Sequence, residues 1–317
     1  MLDLKLILET KKLIDPYVYE TPLDHSIYLS TDKRNIYFKN EGLQHSKSFK
    51  LRGAFSKLLR LTEAEKQNGV VAVSSGNHGI AVSYACKVLG IENVLIFVPK
   101  NTPTSKTEKI EHYGAKLIIE GDTYDEAHHI GMSYVNEHQM TYVDAYDKDP
   151  LIYAGQGTAG LEIMMKQPPI DTILVPVGGG GLITGIGTAA KAINPDVRII
   201  GIQTEACPAM KASMEEKILY AEYPSDPSLC EALIGGIGEL AFERSQDIID
   251  DILLVKEETI KKVIKHMIIK EKLIIEASSC TVIAALIDHP EYDFGKETAL
   301  LLSGSNIDTD LMIQLLK

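Results

Sequence analysis

Cysteine is scarce in this 317-residue chain. There are four, Cys86, Cys207, Cys230 and Cys280, far apart and with no C-x-x-C pair. That spacing argues against a metal or redox framework and leaves them as small buried hydrophobes. Long apolar runs are missing as well: none reaches the roughly 18 to 20 residues that a spanning helix needs. Residues 1–12 lack a basic start, an apolar middle and a small-residue cleavage site, so no secretory signal is expected and the cytoplasm is the expected compartment. Positive charge is in deficit, with 32 Lys and Arg against 44 Asp and Glu and a net charge of −12. This balance argues against nucleic acid or an anionic membrane as a partner, while leaving room for a local basic pocket around a small anion. No internal repeat and no low-complexity segment interrupts the chain.

What is present is an ordinary globular composition, 45% hydrophobic and 24% charged. The length is more than one core usually fills, so two lobes are expected. Helical spacing over Leu4 to Ile14 stops at Pro16, and Asn35 to Lys39 reads as a strand. Strands at Val70–Val73, Val94–Val98, Ala115–Ile119 and Met140–Val143 then alternate with three helices, including one expected over Thr102 to Tyr113. That alternation describes a compact parallel α/β lobe over residues 66–146. Residues 1–65 and 147–317 form the larger lobe. It carries strands at Thr172–Val177, Val197–Gln203, Ile252–Val255 and Thr298–Leu302, with helices over Tyr153–Lys166, Gly181–Ile193, Glu257–Lys270 and Glu276–Ile287.

The chain is organised around Ser46-Lys47-Ser48-Phe49-Lys50-Leu51-Arg52-Gly53-Ala54. Ser48 is placed to cap a helix whose apolar run follows. The positive end of that helix, the neighbouring Arg52 and burial would each disfavour an ammonium on Lys50. A lysine so placed is a candidate for Schiff-base chemistry; otherwise it is a surface lysine on an amphipathic helix. Three more stretches lie at strand ends, where open parallel sheets bind ligands. Gly178-Gly179-Gly180-Gly181 uncovers backbone N–H groups at a helix start and suits a phosphate; the alternative is a tight packing turn. It is neither a dinucleotide fingerprint nor a P-loop. Ser74-Ser75-Gly76-Asn77-His78 offers hydroxyls, an amide and N–H groups for a carboxylate and a phenolic oxygen, or is simply a helix cap. Ser303 ends a strand of hydrophobes, and its dry hydroxyl needs a partner, a pyridine nitrogen or a local turn acceptor. Taken together, a nucleophilic lysine, a phosphate cradle and a hydroxyl for a ring nitrogen describe pyridoxal phosphate.

These stretches, with Gly155-Gln156-Gly157-Thr158 and Ser303-Gly304-x-Asn306, resemble the fold-type II pyridoxal phosphate enzymes, above all the serine/threonine dehydratase and serine racemase family. The resemblance runs over essentially the whole chain. It implies a two-lobed, tryptophan synthase β-like α/β fold, each lobe a mainly parallel sheet with flanking helices. Lys50 would carry the cofactor, with Phe49 and Asn77 flanking its ring and ring oxygen. Gly178, Gly179, Gly180, Gly181 and Leu182 would bind its phosphate, Ser303 would face its ring nitrogen, and Glu276 would lie near it. Ser74, Ser75, Gly76, Asn77 and His78 would receive the amino-acid substrate. The implied reaction is dehydration and deamination of L-threonine or L-serine. Racemisation is the alternative, with Ser75 as the acid on the far ring face. A non-catalytic binding module and a β-replacement synthase are further readings. The resemblance also implies a homodimer, and no regulatory domain is expected after Lys317.

Some positions depart from the family pattern. Lys47 stands where members often have Gly, and Leu233-Ile234-Gly235-Gly236 replaces a more usual Ala-Asp-Gly. The racemase-type divalent-metal site uses a Glu and an Asp where Gln203, Cys207 and Ala209 stand, so no tight Mg²⁺ or Ca²⁺ site is expected.

Overall fold

The computed structural model describes residues 1–100, 102, 104–166 and 168–316. In chain order the elements are α1 (Leu4–Ile14), β1 (Leu23–His25), β2 (Asn35–Asn40), α2 (Lys50–Leu58), α3 (Glu63–Asn68), β3 (Val70–Val73), α4 (Asn77–Leu89), β4 (Val94–Val98), α5 (Thr104–His112), β5 (Lys116–Ile119), α6 (Tyr124–His138) and β6 (Thr141–Tyr142). There follow α7 (Pro150–Met164), β7 (Thr172–Pro176), α8 (Gly181–Ile193), β8 (Arg198–Thr204), α9 (Ala209–Glu216), α10 (Glu239–Ile248), β9 (Asp251–Val255), α11 (Glu257–His266), α12 (Ala277–Asp288), β10 (Glu297–Leu302) and α13 (Thr309–Leu316). The expected helix over Thr102 to Tyr113 is seen as α5; Pro103 lies outside the described residues.

The strands form two sheets. One has four parallel strands in the order β5-β4-β3-β6, all from residues 70–142. The other has six, in the order β1-β2-β10-β7-β8-β9, parallel except where β1 pairs with β2. Strands with helices on both faces are buried throughout, so β3, β4 and the Ile173–Val175 centre of β7 read as continuous apolar runs rather than as an alternation. No helix among the described residues is long and apolar enough to cross a membrane. The four cysteines are free and buried, and burial pushes the Cys86, Cys230 and Cys280 thiols well up.

α2, which begins at Lys50, packs between α4 and α7. Its Leu51, Ala54, Phe55 and Leu58 join Val70, Ala72 and Ile80 in one core. Its other side meets α7 so closely that a Cβ on Gly155 would lie 2.5 Å from the Arg52 carbonyl oxygen. The Gly155–Thr158 motif is thus a packing feature, where two helix backbones touch.

The sequence reading misses α3, α9, α10 and α13. α3 begins with a capping box, Thr62 and Glu65 bonding each other's backbone, a signal present in the sequence. α9 and α10 lie in and beside the Pro- and Gly-punctuated 204–238 stretch. The helix expected over Glu257–Lys270 ends at His266, and a π-helical turn, Met267–Glu271, carries it on to Lys272 at φ 60.

Candidate active site

The segment before α2 is docked on the end of β10. The Phe49 N–H donates to the Ser303 carbonyl (3.0 Å), Ser48 and Gly304 form an isolated bridge, and the Ser305 N–H donates to the Lys47 carbonyl (2.9 Å). Two stretches about 250 residues apart are therefore held in register, and Lys50 and Ser303 reach one site. Lys47 pays for that register with φ 64, a left-handed conformation that glycine adopts at no steric cost.

The expected capping by Ser48 is not found. Phe49 occupies the N-cap position with helical backbone angles and no side-chain cap, and Ser48 Oγ is buried without a partner. Docking on β10 fixes the Ser48 backbone as extended bridge, so its hydroxyl does not reach the first turn. The expected effect of Arg52 on Lys50 is also corrected. The Arg52 guanidinium is fully buried and clamped in bidentate fashion by Glu41 (2.7 and 2.8 Å) and by Glu162 (2.7 Å to each oxygen). Glu162 also takes the Lys39 ammonium, and Thr21 donates to Glu41. Against the cost of burial, these cations hold the Glu162 carboxyl well below the usual carboxylate range. Paired on both sides, Arg52 has no charge to spare for Lys50.

Burial acts on Lys50 instead. Loss of hydration pushes its ammonium down to about 8, against the opposing pull of Asp144 and Glu276. Nζ donates to the Ala145 carbonyl (2.9 Å) and lies 5.3 Å from the Phe49 ring centre and 5.8 Å from that of Tyr146. Tyr146 reaches on to the glycine run: a Cβ on Gly179 would fall 2.1 Å from its Cδ2. Gly180, at φ 90, is the N-cap of α8 and offers no side chain. The first-turn N–H groups from Gly181 and Leu182 onward are left for an anion, with the positive end of the helix behind them.

Ser303 is buried and its hydroxyl is 3.1 Å from Ser279 Oγ. Ser279 donates its own hydrogen to the Gly304 carbonyl (2.8 Å) and accepts from the Gly304 N–H (2.9 Å). The hydrogen between the two hydroxyls is therefore that of Ser303, the one free to turn to a ring nitrogen.

Asn77 donates to both oxygens of Glu276 (3.0 and 2.9 Å) and accepts from Asn306 (2.7 Å), which also donates to the Ser46 carbonyl (3.0 Å) and accepts from Lys109 (2.7 Å). Glu276 is the N-cap of α12, yet it makes no side-chain cap bond there. Ser74 accepts from the Gly76 N–H (3.2 Å), which shapes the loop, and Ser75 is half-buried in it. The His78 ring turns away to the Val143 carbonyl (2.8 Å); burial and the Lys50 charge push it down to about 4, so it is neutral near pH 7. Sequence reasoning missed Tyr146 and Ser279, the Glu41–Arg52–Glu162 clamp and the role of Asn306. Only Asn306 had a signal, its place in Ser303-Gly304-x-Asn306.

The arrangement fits pyridoxal phosphate on three counts. The half-buried Lys50 holds its amine largely unsolvated, an uncapped helix starts within four glycines of which Gly178, Gly179 and Gly180 have their Cβ space taken, and the hydroxyl of Ser48, two residues before Lys50, is orphaned. At Gln203 a divalent cation would meet an amide, and among the described residues no group of three or more His, Cys, Asp or Glu is placed to hold a metal.

Comparisons with known proteins point the same way. A family described as "Pyridoxal-phosphate dependent enzyme" matches residues 14–304. The chain is 36% identical over 314 residues to an L-threonine ammonia-lyase of Thermotoga maritima, covering 98% of this chain and 77% of that one. It is 36% identical over 312 residues to the catabolic L-threonine dehydratase TdcB of Escherichia coli K12, covering 98% and 94%. Among solved structures, maize serine racemase superposes with a TM-score of 0.91 at 30% identity, covering 98% and 96%. A serine racemase from Dictyostelium discoideum gives 0.89 at 32%, covering 97% and 99%.

Proposed function

Because this chain belongs to the family of pyridoxal-phosphate dependent enzymes, we propose that it removes water from L-threonine or L-serine and releases the 2-oxo acid and ammonia. One observation carries the reading: the Lys50 amine, dehydrated and pushed down to about 8, stands between Phe49 and Tyr146 on a segment bonded directly to Ser303. The two threonine-acting relatives support the substrate.

Pyridoxal phosphate, when bound, supplies an electron sink conjugated to the substrate Cα. The chain does the rest. Lys50 would hold the cofactor, and its amine, when free, would be the base that takes the Cα proton. Gly178, Gly179, Gly180, Gly181 and Leu182 would bind the phosphate through N–H groups. Ser303 would donate to the ring nitrogen without protonating it, because a hydroxyl is too weak an acid, and a ring left neutral would favour prompt loss of the β-hydroxyl. The Ser74–Asn77 loop receives the substrate carboxylate. Electron count closes without an oxidant: a proton and hydroxide leave as water, and hydrolysis of the resulting enamine gives 2-oxo acid and ammonium.

The test is 2-oxo acid release from L-threonine and L-serine, with D-serine assayed in parallel. The expected result is 2-oxobutyrate and pyruvate, both abolished in Lys50→Ala together with the bound cofactor's absorbance. D-serine with no oxo acid would replace this reading by the racemase one, in which Ser75 acts on the far ring face. As the assembly we infer a cytoplasmic homodimer, supported by the family resemblance; light scattering should then read about twice 34.9 kDa, and a monomer mass would refute it.

A further inference from the structure

One buried amide reaches the residue that leads into the glycine run. Gln203 lies near the end of β8 and is 1% exposed. Its Nε2 sits between two carbonyl oxygens, those of Val177 and Cys207, at 3.4 Å from each, and its Oε1 accepts from the Lys211 N–H at 3.0 Å. Val177 is the residue immediately before Gly178, and Lys211 lies in the first turn of α9. A single side chain thus joins the exit of β7 into the cradle, the turn after β8, and the helix that follows.

Gathering carbonyl oxygens is what a hard cation does. An NH₂ group does it too, with two hydrogens for two acceptors. The carboxamide oxygen then takes an N–H that a cation would repel. A cation site of the racemase type would need carboxylates where Gln203 and Ala209 stand. Among the described residues no group of three or more His, Cys, Asp or Glu is placed to hold a metal.

We propose that Gln203 is a positioning residue for the phosphate cradle, performing with its amide what a divalent cation would otherwise perform, so that cofactor binding here is independent of such ions. The inference rests on the reading of Gly178–Gly181 as the cradle. A glutamate at 203 would turn only acceptors toward the Val177 and Cys207 carbonyls, and three oxygens facing one another need a cation between them.

The experiment titrates wild-type, Gln203→Ala and Gln203→Glu apoenzymes with pyridoxal phosphate, followed by absorbance, in EDTA and in millimolar calcium chloride. Wild-type affinity should be the same in both buffers. Gln203→Ala should bind about tenfold more weakly in both, having orphaned two carbonyls and an N–H. Gln203→Glu should be weakened in EDTA and recover in calcium, a rescue that a merely structural defect would not show. Thermal melts in the same buffers serve if Gln203→Glu is too unstable to titrate: its midpoint should rise with calcium while that of the wild type stays put. A calcium or EDTA effect on the wild type, wild-type affinity in Gln203→Ala, or no calcium effect on Gln203→Glu by either readout would overturn the inference. A wild type that takes up no cofactor in either buffer would fell the cradle reading itself, and this inference with it; cation results alone leave that reading standing.

Discussion

Lys50 shows how a residue acquires chemistry from its surroundings. Its amine is brought down to about 8 by dehydration, with Asp144 and Glu276 resisting. An amine must be neutral to condense with an aldehyde. Cofactor uptake by the apoenzyme should therefore climb about tenfold per pH unit below 8 and level off above it. Stopped-flow absorbance from pH 6 to 9.5 checks this; a rise continuing toward 10.5 would mean the amine is solvated. The sign for stability follows from the same shift. Between about 8 and 10.5 the unfolded chain holds a proton at Lys50 that the folded chain does not. This group's contribution to apoenzyme stability therefore improves as pH rises through that window. His78 is the contrast. It follows Asn77 directly in the sequence, but neutrality and the bond to Val143 make it a brace between α4 and the segment after β6.

At the scale of elements, the decisive feature is where turns meet. The β7–α8 turn carries the glycine run, and the stretch after β6 brings Tyr146 against it. Gly179→Ala would drive a methyl into the Tyr146 ring, at 2.1 to 2.5 Å from three of its atoms. That ring is wedged between the cradle and Lys50. The substitution should cost about 1–3 kcal/mol of stability and weaken cofactor binding, both read by urea denaturation and pyridoxal phosphate titration; a variant that matches the wild type in both would show that Tyr146 moves freely. The lysine segment and the end of β10 form the second junction. Two backbone hydrogen bonds, which together make the Ser48–Gly304 bridge, place Ser303 relative to Lys50, and the Asn306 amide adds a side-chain bond to the Ser46 carbonyl. Alternation of strand and helix was legible in the sequence because buried parallel strands must be apolar throughout. The capping of α2 was not, because the bridge to Gly304, a distant contact, sets the Ser48 backbone.

Over the whole molecule, the buried clamp ties the N-terminal segment, β2, α2 and α7 together through Thr21, Lys39, Glu41, Arg52 and Glu162. Two buried carboxylates meet two buried cations there, and the Lys11 ammonium approaches Glu162 from the edge at 3.5 Å. Removing one partner leaves a charge uncompensated in a dry place, so Arg52→Met should cost about 3–5 kcal/mol. Urea denaturation followed by circular dichroism measures it, and a loss under 1 kcal/mol would show that water enters to replace the guanidinium. Because α2 is the element held, the same variant should also loosen cofactor binding at Lys50.

Local periodicity and backbone chemistry are written residue by residue, and they sufficed for the alternating α/β plan, the lysine, the glycine run and the terminal serine. The partners came only with folding: Tyr146 over Gly179, Ser279 under Ser303, two glutamates around Arg52, and an amide between two carbonyls at Gln203. Those contacts join positions far apart in the chain, and their energies depend on distance and dehydration, quantities that exist only once the chain has folded.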